Sequence, residues 1–151
     1  MRVTIVYPEI GQPADPAGWL DVGQQTAILL ELSCQVQLLH LREHWPSERF
    51  DESLRSHAPE ALVLHLGPFQ VEALRRYAGL CKRAAPLATV IATGALTTLH
   101  PETVAAEEDV DLLVLGEWQP AFRELMTRLT RRAATDDAPN CWRRAPGGFI
   151  K

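Results

Sequence analysis

The sequence predicts an α/β fold, a Rossmann-like (flavodoxin-like) sheet of five parallel strands in the order 2-1-3-4-5 with helices on both faces. Short, continuous apolar runs alternate with longer amphipathic stretches along the chain. Continuous apolar runs are typical of strands buried on both faces, and a strand-helix alternation favours a parallel sheet with right-handed crossovers. Prolines also stand at or just before several amphipathic stretches, where a helix tolerates a missing N–H.

The strands are assigned to apolar runs of four to six residues, mainly Val, Ile, Leu and Ala. In chain order these are residues 3–7, 36–41, 61–66, 87–92 and 112–115. The stretches between and after them carry apolar residues at helical spacing. The predicted helices are residues 18–32, 46–57, 71–84, 101–107 and 120–131.

Length and composition predict one folded domain that does not span a membrane. The 151 residues are 46% hydrophobic and 23% charged, and no apolar run approaches the ~20 residues of a membrane span. The apolar start of the chain is too short for a secretory signal, so we expect a cytoplasmic protein. Residues 1–133 are predicted to form the α/β domain, and residues 134–151 a linker and a short C-terminal hairpin turning at Gly147-Gly148.

Charge and cysteine usage exclude several classes of site. The net charge is −4, yet residues 123–151 carry seven basic and three acidic side chains, a pattern that we interpret as a solvated helix face and tail rather than a nucleic-acid surface. Cys34, Cys81 and Cys141 form no CxxC pair, which indicates neither a disulfide framework nor a zinc site. We expect reduced and mostly buried thiols. The five histidines are scattered over different elements, so no metal site is predicted.

Ligands of such folds bind at the carboxyl ends of the strands, so the loops there are the candidate binding segments. The loop after the first strand offers one glycine and two prolines, which is a poor match to the GxGxxG of dinucleotide sites. Lys82 and Lys151 are the only lysines, and neither stands in a P-loop. A receiver domain would need an Asp at the end of the third strand, where His65 stands. No catalytic residue is predicted.

A more distinctive pattern begins at the end of the fourth strand. Gly94, Thr98 and the Pro101-Glu102 pair are followed by Asp111, the Gly116-Glu117 pair and the Glu124-Leu125 pair. This pattern resembles the N-terminal cobalamin (B12)-binding domain of cobalamin-dependent radical SAM enzymes, where one strand ends in GGxHxT followed by a PE pair, and the next strand ends in DxxxxGExE before a helix ending in EL. The resemblance spans almost the whole chain and is strongest over residues 91–125.

The chain also departs from that pattern. In the first motif Thr93 stands in place of the first glycine and Leu96 in place of the histidine. In the second motif Gln119 stands in place of the second acidic residue. The wider family of cobalamin domains ligates cobalt through a histidine after the first strand, and residues 8–18 contain none. The resemblance therefore implies base-off cobalamin without a protein histidine on cobalt from that loop. It also places His65 where the wider family has a serine that bonds the buried dimethylbenzimidazole tail.

The candidate cofactor-binding residues lie just after the third, fourth and fifth strands. A nucleotide tail entering the core needs a slot with small residues and few polar partners. We expect Gly94→Val to abolish cobalamin uptake and to leave the circular dichroism spectrum largely intact. The full set is His65, Leu66, Gly67, Thr93, Gly94, Ala95, Thr97, Thr98, Gly116, Glu117 and Trp118.

The resemblance implies a cobalamin-binding module that acts in methyl transfer or related chemistry with a radical SAM domain or protein. The chain has no CxxxCxxC motif, so we expect no iron–sulfur cluster in it and no catalysis by the chain alone. The alternative is a degenerate, cofactor-free Rossmann-like domain with an interaction or regulatory role. A small nucleotide- or flavin-binding protein is a third, weaker hypothesis.

Overall fold

A single mixed sheet runs through the computed structural model, which describes residues 1–11 and 16–151. Its strands are β1 (Arg2–Pro8), β2 (Gln35–Leu41), β3 (Ala61–His65), β4 (Thr89–Thr93), β5 (Leu112–Val114), β6 (Cys141–Ala145) and β7 (Gly148–Ile150). The helices are α1 (Pro16–Glu31), α2 (Ser47–His57), α3 (Val71–Ala84), α4 (Ala95–Leu99), α5 (Pro101–Ala105) and α6 (Trp118–Thr130). Among the residues described, no helix is both long and apolar enough to cross a bilayer.

The predicted parallel sheet is confirmed, with two more strands than expected. The order is β2-β1-β3-β4-β5-β6-β7, and β1 to β5 pair in parallel. The predicted C-terminal hairpin forms, but β6 pairs antiparallel with β5, so the sheet has seven strands rather than five. The reason is that β5 would otherwise be an edge strand with unpaired N–H and C=O groups.

The hairpin turn lies one residue earlier than predicted. Ala145 pairs with Gly148, which leaves Pro146 and Gly147 as the two-residue loop. Proline fixes the first loop position, and Gly147 has a φ of +95° at the second, a conformation that glycine adopts without strain. Gly148 therefore belongs to β7.

An arginine attaches this hairpin to the rest of the domain. The Arg144 guanidinium donates to the carbonyl oxygens of Ala105, Glu107 and Val110 at the end of α5 and beyond it. The same guanidinium lies 4.6 Å from the ring centroid of Phe149, a cation–π distance. The hairpin thus packs on the α5–β5 connection.

Helices cover both faces of the sheet, as predicted. One core cluster contains Leu62 and Leu64 of β3 with side chains of α2 and α3, including Phe50 and Tyr77. The other contains Ala61 and Val63 of β3 with side chains of α1 and α6. Alternate β3 residues serve opposite faces, because successive side chains of a strand point in opposite directions.

The fourth strand and the helix after it differ from the prediction. Leu87 is 98% exposed, and β4 begins at Thr89. The segment after β4 forms the short helix α4, which the helical periodicity missed because a five-residue helix is too short to show a repeat. The next helix, α5, begins at Pro101 as predicted and ends at Ala105.

Asp111, one of the residues that carry the family resemblance, has a structural role here. Its Oδ2 accepts hydrogen bonds from the backbone N–H of Val90 (2.7 Å) and from Lys82 Nζ (2.6 Å). Val90 is fully buried. The carboxylate therefore satisfies a buried donor of β4 just before β5 begins.

We expect Asp111→Ala to lower the free energy of unfolding by about 1–3 kcal/mol, because the buried N–H of Val90 loses its acceptor. Urea denaturation followed by circular dichroism measures the change. Glu108→Ala, at an exposed site in the same connection, is the control and should change stability by less than about 0.5 kcal/mol. Equal effects of the two substitutions would contradict this role of Asp111.

The thiols provide a second test of the core. Burial raises the pKa of Cys81 to about 12 and that of Cys141 to about 11, and it also raises the pKa of Cys34. Only thiolates react rapidly with alkylating agents. We therefore expect iodoacetamide at pH 8 to modify the folded protein slowly and the urea-unfolded protein quickly, as measured by mass spectrometry. Rapid modification of the folded protein at any cysteine would show that the burial at that position is wrong.

Candidate functional site

The carboxyl ends of the parallel strands meet at one edge of the sheet, and β1 and β3 form the switch point there. The chain leaves β1 for β2 on one side and reaches β3 on the other. Loops diverge at such a point and leave a crevice. Gln70 spans it, because its Oε1 accepts from the backbone N–H of Gly67 (2.8 Å) and its Nε2 donates to the carbonyl oxygen of Pro8.

A cleft of about 230 Å³ opens beside the end of β3. It lies between the start of α1, the β3–α3 loop and the start of α4. Most of its wall consists of small side chains or backbone. The described lining residues are Ala17, Gly18, Asp21, His65, Leu66, Gly67, Pro68 and Ala95.

A cluster of three buried polar side chains lies behind this cleft. Gln25 Nε2 donates to Thr93 Oγ1 (2.9 Å) and lies 3.1 Å from Nδ1 of His65, and the Thr93 hydroxyl lies 3.3 Å from that same nitrogen. All three residues are almost completely buried. With the Gln25 NH₂ group facing it, His65 Nδ1 is an acceptor, and the ring proton is then on Nε2.

One polar atom of this cluster has no partner. Gln25 Oε1 is buried and makes no hydrogen bond among the described residues. Exchanging the amide O and N would leave the NH₂ group in that position instead. A buried amide oxygen without a hydrogen bond is destabilising by about 1–3 kcal/mol. Gln25 lies behind the cleft wall and is not among the described lining residues.

The ends of β3 and β4 are held together by a close backbone contact at Gly94. Gly94 has a φ of +97°, and a Cβ built there would lie 2.4 Å from the carbonyl oxygen of Leu66. Leu66 also accepts from the backbone N–H of Leu96 (3.3 Å) and donates to the carbonyl of Thr93 (2.9 Å). No larger residue fits at position 94. Our expectation that Gly94→Val would leave the fold intact is therefore wrong, because the clash is with backbone.

The remaining candidate residues form a second group on the β4–β5 side. The Thr98 hydroxyl accepts from the backbone N–H of Gly116 (3.2 Å), which joins α4 to the loop after β5. Thr97 is fully buried, and its Oγ1 has no partner among the described residues. Glu117 is exposed at the start of α6. Trp118 packs in the core with its ring centroid 6.0 Å from that of Phe122, so it contributes to the core of the α6 face.

The structure therefore divides the eleven predicted residues. His65, Leu66, Gly67 and Ala95 line the cleft. Thr93 and Gly94 lie directly behind it. Thr97, Thr98, Gly116, Glu117 and Trp118 are not among the described lining residues, and a binding role for them stays a prediction.

An aromatic cluster at the ends of β1 and β2 was not predicted. His40 Nε2 lies 2.8 Å from Oε2 of the nearly buried Glu9, and its ring stacks on Tyr7 at 5.4 Å. Trp19 of α1 contacts both rings edge-on, at 5.7 Å from Tyr7 and 4.5 Å from His40.

The segment 8–18 after β1, which contains no histidine, is only partly described, because residues 12–15 lie outside the described residues. In the described part of the chain, no three His, Cys, Asp or Glu side chains come close enough to hold a metal ion.

Gln25 is the site residue that sequence reasoning missed. A signal for it exists, because Gln25 interrupts the apolar stripe that Val22 and Leu29 define on α1. A polar residue in such a stripe must find partners inside the protein.

Comparisons with solved structures give the clearest relationship. Over 99% of the chain, the fold matches the radical S-adenosylmethionine methyltransferase TsrM from Kitasatospora setae (TM-score 0.85, 18% identity). It also matches the cobalamin-dependent S-adenosylmethionine radical enzyme OxsB over 99% of the chain (TM-score 0.74, 15% identity). A CheY-like protein, TadZ from Pseudomonas aeruginosa PAO1, matches over 87% of the chain and 98% of its own length (TM-score 0.59, 14% identity).

These comparisons establish the fold, including its flavodoxin-like character. The chain spans 29% of the matched TsrM chain and 21% of the OxsB chain. Comparison with protein-family profiles gives no match, and comparison with curated proteins gives none either. Two of these neighbours are thus radical S-adenosylmethionine enzymes, and the similarity lies in one part of each of those two chains.

The Gly94 contact predicts a large difference between two glycine substitutions. Gly94 and Gly116 both have positive φ, but a Cβ at Gly116 meets no atom within 4 Å. We expect Gly116→Ala to cost about 1–2 kcal/mol from backbone strain alone, and Gly94→Ala more than about 3 kcal/mol because the clash adds to that strain. Urea denaturation measures both values, and a similar loss at the two positions would refute the steric role of Gly94.

Proposed function

We propose that this chain is a cobalamin-binding module that takes the nucleotide tail of the corrinoid into the cleft beside β3. The observation that carries the proposal is the small-residue cleft backed by the buried, unpaired amide of Gln25. The fold supports it, because TsrM was solved with cobalamin and a [4Fe-4S] cluster bound, and OxsB with aqua-cobalamin bound.

The size of the cleft limits what enters it. Sites that enclose a whole ligand usually measure about 300–1,000 Å³, and this cleft has about 230 Å³. It suits a flat base with its sugar rather than a corrin ring. The corrin would lie outside, at the carboxyl edge of the sheet, where Phe69 is 81% exposed and Trp19 is 43% exposed.

We further propose that the cobalamin is bound base-off, without a histidine on cobalt from the loop after β1. Residues 8–18 contain no histidine. Two histidines stand at strand ends near this edge, and both have other contacts: His40 with Glu9, and His65 with Gln25 and Thr93. A nucleotide base held in the cleft would not coordinate the cobalt, which is the base-off state.

The chemistry belongs to the cofactor, while this chain supplies position. The proposed methyl transfer or related reaction requires a radical SAM domain or protein, because this sequence lacks the CxxxCxxC cluster motif. In this proposal residues 1–133 hold the corrinoid, and residues 134–151 contribute the connection and the hairpin beside β5.

The direct test is to mix the purified protein with hydroxocobalamin, desalt it and record the visible spectrum. We expect near-stoichiometric corrinoid with a base-off spectrum. A colourless protein would overturn the proposal and favour the cofactor-free interaction domain. Bound corrinoid with a base-on spectrum would overturn only the proposed mode of binding.

A matched pair of variants tests the cleft. Ala95→Phe fills its mouth, whereas Ala106→Phe places the same side chain at an exposed position after α5. We expect the first to weaken cobalamin binding by at least about tenfold and the second by less than about twofold, as measured by equilibrium dialysis. Equal affinities of the two variants would show that the tail does not enter this cleft.

A further inference from the structure

We infer that the chain forms a two-fold symmetric dimer through the open edge of its sheet. In this dimer β2 pairs antiparallel with β2 of a second copy, and α1 packs against its equivalent. The surface consists of β2 and of Trp19, Thr26 and Leu30 on α1, and we call it the β2 edge. This interface is independent of the proposed function, because it uses none of the described lining residues of the cleft.

The strand β2 is outermost at one end of the sheet and lacks the features that usually protect such a position. It has seven residues, and none of them is Asp, Glu, Lys, Arg or Pro. Natural sheet edges are often blunted by short strands, lysines or prolines. The opposite edge follows that rule, since β7 has three residues and is followed by Lys151. β2 therefore offers a long row of backbone groups for pairing.

The hydrogen bonds of β2 determine which of its backbone groups point outward. The N–H of Gln35 and the carbonyl of Leu41 both bond on the β1 side. Backbone groups alternate in direction along a strand, so those of Val36, Leu38 and His40 point away from β1. In an antiparallel pair centred on Leu38, these three residues face the same three of a second copy. Each facing pair then exchanges two hydrogen bonds.

The side of α1 next to this strand is partly apolar and exposed. Trp19, Thr26 and Leu30 are seven and four residues apart, so they share one face of the helix. The Trp19 ring lies 4.5 Å from that of His40, which places this face toward β2. Trp19 is 43% exposed and Leu30 is 59% exposed. Leu38, which is 41% exposed, lies on the same face of the sheet as His40, because the two are separated by two residues along the strand.

The opposite side of α1 faces α6. Gln24 bonds to Gln119, and Glu31 forms an ion pair with Arg123. Leu20 precedes Gln24 by four residues and therefore belongs to this side, although it is 63% exposed. Leu20 and Leu30 are thus similarly exposed leucines on different sides of one helix.

A second copy covers both parts of the β2 edge at once. A lone strand from another protein would pair with β2 but leave the apolar face of α1 exposed. In the two-fold dimer both α1 helices lie on the same side of the joined sheet. Each contacts β1 and β2, so the two helices are separated by two strand spacings, roughly 10 Å. Helices pack at about that distance. No like charges oppose each other along β2, because the strand has no acidic or basic side chain apart from His40.

This dimer leaves the candidate cofactor site open. Because the two β2 strands run antiparallel, the carboxyl edges of the two sheets point in opposite directions. The cleft beside β3 lies at that edge in each copy. Both clefts therefore remain accessible to a ligand and to a further domain or protein.

Sedimentation equilibrium at protein concentrations up to about 100 µM tests the dimer. We expect a monomer–dimer equilibrium that Leu30→Lys weakens by at least about tenfold, because it places an ammonium group between the helices. Leu20→Lys, on the α6 side, is the matched control and should weaken it by less than about twofold. A monomer at every concentration would overturn the inference. A dimer that the two variants weaken equally, or that neither weakens, would also overturn it, because association would then use another surface.

An exchange of charge at position 38 tests the register. Leu38 faces its own copy across the two-fold axis, so Leu38→Lys and Leu38→Glu each bring like charges together and should be monomeric. An equal mixture of the two variants should form the dimer again, because opposite charges then face each other. Leu87→Lys, at a 98% exposed leucine outside the β2 edge, should associate as the unmodified protein does. Circular dichroism confirms that each variant is folded. A mixture that stays monomeric would contradict the antiparallel pairing centred on Leu38.

Discussion

The backbone contact between Gly94 and Leu66 is the constraint on which the site depends. It draws the loops after β3 and β4 together at a distance that no side chain at position 94 allows. Because these two loops are adjacent, His65 and Thr93 lie side by side as a cross-strand pair, and one glutamine on α1 can contact both. The cleft and its buried polar wall lie beside this approach.

The residues that carry the family resemblance and those suited to contact a ligand are largely different. Asp111 satisfies a buried N–H of β4, Pro101 begins α5, and Leu125 packs in the core. Gly94 permits a backbone contact. These positions specify how the chain folds around the carboxyl edge. Gln25, the buried polar side chain behind the cleft, lies outside that pattern.

The sequence predicted most of the architecture, because buried strands and amphipathic helices have distinct apolar periods. The five parallel strands and their order are confirmed, and α3 has the predicted bounds. The helix α4 was missed because one turn has no measurable period. The pairing of β6 with β5, the His40–Glu9 contact and the cluster around Gln25 were missed because each joins residues far apart in the sequence. Local patterns carry no information on such pairs, although a lone glutamine in an apolar stripe was a visible signal.

The hairpin at the end of the chain affects the order in which the molecule assembles. β5 has three residues, and its pairing with β6 joins positions about thirty residues apart, while Arg144 reaches back to carbonyls at the end of α5 and beyond it. During synthesis the N-terminal part of a protein generally folds first. Strands β1 to β4 and their helices can therefore collapse while the chain is still being made. The last parallel strand keeps an open side until residues 141–145 emerge from the ribosome, which makes β5 the part of the sheet most exposed to mispairing in the nascent chain.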